Sequence, residues 1–319
     1  MIRLYRSGAA IVEATEVGPG WTLDTDILWI DLVRPTRTEE TAIEAALGLG
    51  LPTPEEMAEL EASSRLYREN GAVFLIADLM HHGDEDLPAL APTTFVITDG
   101  PLVTIRYVDP KPFSMLDERL EREPTLCGCG REVFLTLMEG VIDRLSDVLS
   151  GNAAHVEAIS GHVFSQTKTV GFDRLITRLG RAHMANARIE QSLAGLARVF
   201  AFLSPDDRFE KDPEIREHLR SLGRDASSLI GHAQAVAASI NFQLSAALGL
   251  VNIEQSSIIK IFSVAAVTFM PPTLIASIYG MNFEHMPELR WVSGYPLAIV
   301  AMLIAAITPL LWFRKKGWL

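Results

Sequence analysis

Ser256, Ser263, Met270 and Ser277 recur at steps of seven, with Ile259, Ala266 and Thr273 between them, so one line along a helix carries them all. Asn252 precedes them by a turn, and the line runs out at Gly280-Met281-Asn282. The chemistry open to such a line is weak, uncharged ligation. Hydroxyl and amide oxygens accept hydrogen bonds from the water around a hard cation, and a small divalent cation gives up that water reluctantly. A carboxylate ring would hold the ion more strongly but release it more slowly, and passage requires both admission and release. Glu284 and Glu288 follow, where they would either concentrate cations near the Asn282 amide or simply solvate a loop. The same line of small residues equally suits close helix packing, so residue types alone leave pore face and packing face open.

The elements that must position this line are legible in the charge pattern. The chain has 319 residues and a formal net charge of −12, yet its mean hydropathy is positive. Charges are dense over the first four-fifths, whereas Ile261–Tyr279 and Trp291–Phe313 carry none. About 20 apolar residues cross the roughly 30 Å hydrocarbon core, so both runs are membrane-span candidates. The N-terminus lacks the apolar stretch of a secretory signal. Lys260 precedes the first run, and Arg314, Lys315 and Lys316 close the second. Positive flanks stay cytoplasmic, which puts both termini in the cytoplasm and the segment 281–294 outside.

Residues 1–130 read as a cytoplasmic α/β domain. "ILWIDLV" and "GAVFLIADLM" are strand-like, and "TTFVITDGPLVTIRYV" is split into a hairpin by Asp99-Gly100. Thr36 and Glu39 have capping-box spacing, and "TPEEMAELEASSRLY" reads as another helix. Pro-rich "VDPKPFS" and then "REPTLCGCGRE" read as the exit from this domain. Residues 131–212 read as an antiparallel helical pair. A stalk helix over 213–282 continues into the first span at about 258–280, and residues 295–313 form the second span, with a basic tail at 314–319. Ile215, Leu219, Leu222, Ala226, Leu229, Ala233, Val236, Ile240, Ala247 and Val251 make a heptad seam in the stalk, Gln243 being its polar member. Such a seam predicts packing along like helices, in a homo-oligomeric funnel or a membrane-anchored scaffold.

Other chemistries find little support. Cys127 and Cys129 are the two cysteines; no further cysteine or nearby histidine pair completes a four-ligand metal site, and the segment reads as a loop of reduced thiols. His285 reads as a loop residue; His81, His82, His155 and His162 read as core or surface histidines. There is no H-E-x-x-H, G-x-S-x-G or phosphate-loop motif, so neither an enzyme nor an ATP-driven pump is expected. A divalent ion moving inward would gain about 4.6 kcal/mol per 100 mV, twice the single-charge value.

"VNIEQSSIIKIFSVAAVTFMPPTLIASIYGMNFEHMPELRWVSGYP" and the ending "WFRKKGWL" resemble CorA-type magnesium transporters, in the enterobacterial-like branch. "YGMN" is that family's signature and "MPEL" follows it; "WIDLVRPT" and "ELEASSRLY" extend the likeness into the N-terminal region. The resemblance implies an α+β cytoplasmic domain, a long stalk helix and two transmembrane helices, assembled as a funnel-shaped homopentamer in the bacterial inner membrane. It implies passive Mg2+ uptake, also of Co2+ and Ni2+, with Mg2+ as both substrate and regulatory ligand. No cofactor and no nucleic-acid partner are implied; the partners are the lipid bilayer, divalent cations and other copies of the chain. Gly280, Met281 and Asn282 would form the entrance, with Asn282 holding hydrated Mg2+. Asn252, Ser256, Ile259, Ser263, Ala266, Met270, Thr273 and Ser277 would line the pore, with a hydrophobic gate at Met270 and near Ile259 and Phe262. The stalk position matching one member of the family's acidic sensor pair is Ser221, so no regulatory site is assigned. A ZntB-like zinc transporter is the alternative within the superfamily, disfavoured by "MPEL".

Overall fold

The computed structural model describes the chain apart from residues 7, 9–11, 15–16, 18–19, 60, 84–86, 165–170, 283–285 and 319. It divides into two compact units, Met1–Leu244 and Ser245–Leu319.

The first unit is built on a seven-stranded mixed sheet: β1 (Ile2–Arg6), β2 (Val12–Ala14), β3 (Ile27–Val33), β4 (Leu66–Glu69), β5 (Ala72–His81), β6 (Ala89–Ile97) and β7 (Leu102–Arg106), in the order β2-β1-β3-β7-β6-β5-β4. The β3–β7 pair is parallel and the other pairs are antiparallel. Buried on both faces, β3 reads as a nearly continuous apolar run. On one face Ile30, Leu32, Val96, Val103 and Ile105 join Ile43 of α1 (Arg37–Leu47) and Met57 of α2 (Pro54–Met57) in a single core. The other face meets α4 (Lys111–Arg122) and α5 (Gly130–Phe164): Trp29 lies 5.9 Å from Phe113, and Phe95 5.6 Å from Phe134.

The Asp99-Gly100 hairpin forms, with Ile97 opposite Leu102. Thr36 and Glu39 make their reciprocal cap, and Thr53 with Glu56 makes a second. Two expectations are corrected. "TPEEMAELEASSRLY" is not one helix: α2 and α3 (Ala62–Arg65) are single turns, and Leu66–Glu69 is drawn into the sheet as its edge strand. Pairing with β5 outweighs the local helical pattern. The Pro-rich segment is not simply an exit, because Pro110 sits at the N-cap of α4 and Pro112 in its first turn, where a missing N–H costs nothing.

The stalk seam is the larger correction. α6 (Phe172–Leu203) follows α5, α7 (Asp207–Glu210) makes one turn, and α8 runs unbroken from Pro213 to Tyr279. Ile215, Leu219, Leu222, Ala226, Ala233, Val236, Ile240 and Gln243 are buried within the first unit. Asn186 of α6 donates to the Ala233 carbonyl at 2.9 Å, and Gln243 donates to that of Val156 in α5 at 3.2 Å. The seam over these residues is therefore filled by the chain's own helices, not by copies of α8.

Below β3 lies a buried polar cluster. Arg106 forks onto both Asp31 oxygens at 2.9–3.2 Å, while Asp31 accepts from Thr104 at 2.7 Å and Trp29 donates to Thr104 at 2.9 Å. Burial pushes the Asp31 carboxyl up, against the opposing pull of Arg106. Another cluster ties the sheet edge to the α6–α7 link: Asp206 accepts from Arg68 at 3.1 Å and from Arg208 at 2.9 Å. Burial opposes the Asp206 charge, but the bonds from Arg208 and Arg68 hold its carboxyl down at about 2. A depressed carboxylate stabilises the fold above its unfolded value near 4 and loses that contribution as pH falls through the native value. Asp206→Asn is accordingly expected to unfold at lower temperature than the parent at pH 7, and the gap should shrink between about pH 4 and pH 2. A gap of constant size across that range, followed by thermal unfolding in detergent, would assign the loss to packing instead.

Candidate functional site

In the second unit α8 and α9 (Gly294–Lys315) each hold an apolar window long enough to cross a membrane. Only 11% and 6% of these windows is buried, which is not the condition of core helices in a water-soluble fold. At 1.5 Å per residue the 22 residues of α9 span about 33 Å. Trp291 and Tyr295 stand exposed at one end of this stretch and Trp312 and Trp318 at the other, the arrangement of interfacial aromatic belts. Lys316 lies 4.7 Å over the Trp312 ring, beside Arg314 and Lys315.

Along α8, Val264 and Thr268 are buried. Asn252, Ser256, Ile259, Ala266, Met270, Thr273 and Ser277 are all exposed, and Ser263 is half-buried. Met270 lies roughly 140° round the helix from the midpoint of Val264 and Thr268, at 3.6 residues per turn. The structure thus brings the eight residues onto one face, directed away from the face that packs inside the chain. Exposure alone does not single them out, since Phe262 and Phe269 are about 70% exposed too; the concentration of hydroxyl and amide groups does. Thr268 is a hydroxyl off this line, and its Oγ1 is buried without a hydrogen-bond partner among the described residues. Pro271 and Pro272 sit inside the helix and have no N–H to offer the carbonyls of Val267 and Thr268. The Thr273 hydroxyl bonds back to the Phe269 carbonyl at 2.8 Å.

Tyr279 ends the helix, at the last residue of the uncharged run. Gly280 still donates to the Ala276 carbonyl at 2.9 Å, but Met281 reaches only to Ile278, at 3.2 Å, and the last turn tightens. Met281 and Asn282 are exposed beyond it. Glu284 and His285 lie outside the described residues. Glu288 is exposed in a 3-10 turn, Pro287–Arg290, that folds back on the start of α9. Gly294 makes this possible: a Cβ there would sit 2.4 Å from the Glu288 carbonyl oxygen. Sequence reasoning passed over Gly294; the available signal was a glycine in the first turn of a helix, where the missing Cβ lets another stretch of backbone come close. Gly294→Ala is expected to force the turn outward at about 1–3 kcal/mol, visible as faster hydrogen exchange over 286–294 with the first unit unchanged. Unaltered exchange there would refute the close approach.

The cysteine segment takes no part in this site. Cys127 is buried, with its Sγ 3.7 Å from the Thr136 hydroxyl, and burial pushes its thiol up. Among the described residues no group of three or more histidine, cysteine or acidic side chains is placed to hold a metal ion. His81 and His82 meet edge to face at 4.7 Å; His155 is exposed on α5, and the His162 side chain lies outside the described residues.

Residues 24–315 match the family described as CorA-like Mg2+ transporter protein. The chain belongs to the CorA family. It is 35% identical over 292 residues to the magnesium transport protein CorA of Yersinia pestis, covering 92% of each chain. It is 34% identical over 294 residues to the magnesium transport protein CorA of Salmonella typhimurium, again over 92% of each. In fold it is similar to the complete CorA magnesium transporter structure from Methanocaldococcus jannaschii, with TM-score 0.82 and 18% identity over 100% of this chain and 99% of that one. The ZntB cytoplasmic domain from Vibrio parahaemolyticus also shares the fold, at TM-score 0.53 and 9% identity over 79% of this chain and 98% of that one. The CorA family is a transporter family, and with its two exposed apolar helices this member is a membrane protein.

Proposed function

We propose that the chain assembles as a homopentamer in the bacterial inner membrane, termini in the cytoplasm, and conducts Mg2+ passively inward. The reading rests on one observation above all: a helix with an apolar window long enough to cross a membrane carries the line from Asn252 to Ser277 on one face, all exposed but the half-buried Ser263, and is followed by an exposed Gly280-Met281-Asn282. Around a shared axis, the Asn282 amides would grip a hydrated ion, and Glu284 and Glu288 would raise the local cation concentration. Met270, Ile259 and Phe262 would close the pore by dewetting when the helices draw together. The membrane potential supplies the driving force, about 4.6 kcal/mol per 100 mV for a divalent ion. Co2+ and Ni2+ would share the pathway, and cytoplasmic Mg2+ would hold it closed. Membership of the CorA family and the names of the curated relatives support Mg2+ as cargo; the basic residues after the second span support the orientation.

The test is Mg2+ uptake into liposomes holding the purified protein under an imposed potassium diffusion potential. Uptake should rise as the compartment facing the cytoplasmic side becomes negative, and Co2+ should compete. A preparation that carries Zn2+ but not Mg2+ would establish the zinc reading instead. One that carries neither, though assembled, would reduce the protein to a scaffold.

A further inference from the structure

The end of α9 is folded rather than frayed. The backbone N–H of Lys316 donates to the Trp312 carbonyl at 3.1 Å, that of Gly317 to Arg314 at 3.2 Å, and that of Trp318 to Phe313 at 3.0 Å. Gly317 has φ +72°, the left-handed conformation by which a chain leaves a helix and turns back on its last turn. The turn seats Trp318 on Phe313, with ring centroids 5.3 Å apart and planes at 19°; Trp312 meets the same ring edge to face at 5.2 Å. Phe313 is buried, while Trp312 and Trp318 stay exposed.

Three cations surround this folded end. Arg314, Lys315 and Lys316 are exposed, and none of them makes an ion pair among the described residues. The Lys316 ammonium lies 4.7 Å over the Trp312 ring, which holds it level with an indole. Within Ser245–Leu319, the side of the uncharged runs on which α9 ends carries Lys260, Arg314, Lys315 and Lys316 against Glu254. A carboxylate at the end of the chain would leave that balance positive. The other side carries Glu284 and Glu288 against Arg290. Cations in a last turn also offset the helix dipole, but that role needs neither the Gly317 turn nor two exposed indoles beside the charges. A bilayer surface accounts for both. Indoles settle at headgroup level, and basic residues next to a membrane helix attract anionic lipid.

We propose that Trp312–Trp318 is a binding surface for the headgroups of anionic phospholipids, with the cations on phosphate oxygens and the indoles at the base of the headgroup. It requires the chain to lie in a bilayer but not to conduct, so it is tested apart from ion transport. The test is native mass spectrometry of the full chain released from nanodiscs of phosphatidylcholine and phosphatidylglycerol in equal parts with matched acyl chains, counting the retained lipids of each kind. Phosphatidylglycerol should be retained in preference by at least about tenfold. Lys316→Gln should lower the preference about fivefold, and replacing Arg314, Lys315 and Lys316 together by Gln should abolish it. Gly317→Val keeps every cation but forbids the left-handed turn, and it should also lower the preference. Arg290→Gln, at the opposite end, should not. Equal retention of the two lipids by the parent overturns the proposal, as does an equal loss in Arg290→Gln. A preference that survives Gly317→Val intact would reduce the site to bare charge and overturn the role of the folded end. If the triple variant unfolds at lower temperature in phosphatidylcholine alone, by as much as in the mixture, the cations serve contacts within the protein and the lipid surface is ruled out.

Discussion

Asn282→Ala is expected to bring Mg2+ uptake down to the level of protein-free liposomes, with the oligomer intact. Asn282 is exposed, one residue past the last turn of α8, and buries nothing that the fold needs. On the proposed reading, truncation would remove a hydrogen-bond acceptor for the ion's water from every copy around the axis. One hydrogen bond involving a charged partner contributes about 1.5–3 kcal/mol, or about ten- to a hundredfold in binding. Losing it in several subunits at once would leave the proposed entrance without a group to select the hydrated ion. Asn282→Asp tests the complementary point. It keeps the acceptors and adds charge, so the ion should be held more tightly and released more slowly, giving lower flux with stronger block by competing divalent ions. Undiminished uptake by the alanine variant, measured in the same liposomes, would remove Asn282 from the pathway and with it the proposed entrance.

Arg106→Met is expected to destabilise the first unit by about 3–5 kcal/mol, the usual consequence of leaving one member of a buried ion pair alone. Arg106 and Asp31 are 3% and 0% exposed, and the guanidinium also lies 4.6 Å over the Phe113 ring. Without Arg106 the Asp31 carboxylate would keep a hydroxyl donor in Thr104 but no cation among the groups bonded to it. Replacing both partners, as Asp31→Leu with Arg106→Met, should recover much of the loss, because two buried charges then disappear together. Thermal unfolding of the single and double variants decides the matter: a double variant as unstable as the sum of the singles would show that shape, not charge, makes this cluster necessary.

The seam on α8 shows how far a sequence pattern reaches. Its heptad spacing correctly marked a buried face from Ile215 to Gln243. The identity of the covering surface was not in the spacing, because periodicity records that a face is dry and not what dries it. Here α5 and α6 cover it, which leaves the exposed line from Asn252 to Ser277 as the face open to copies of the chain. Leu66–Glu69 makes the same point in the other direction: a locally helical stretch became a strand because β5 offered it an unpaired edge.

By itself, the sequence determined what local chemistry and one-dimensional spacing can carry: two uncharged runs long enough for a bilayer, the basic residues that flank them, the hairpin at Asp99-Gly100, the cap at Thr36, and a line of hydroxyl and amide groups ending at Asn282. Only the tertiary structure decided that Asp31 and Arg106 pair and that Gly294 admits the Glu288 carbonyl. Each of these joins positions on different elements. The free energy of such contacts depends on how the chain is folded back, which no spacing along it records.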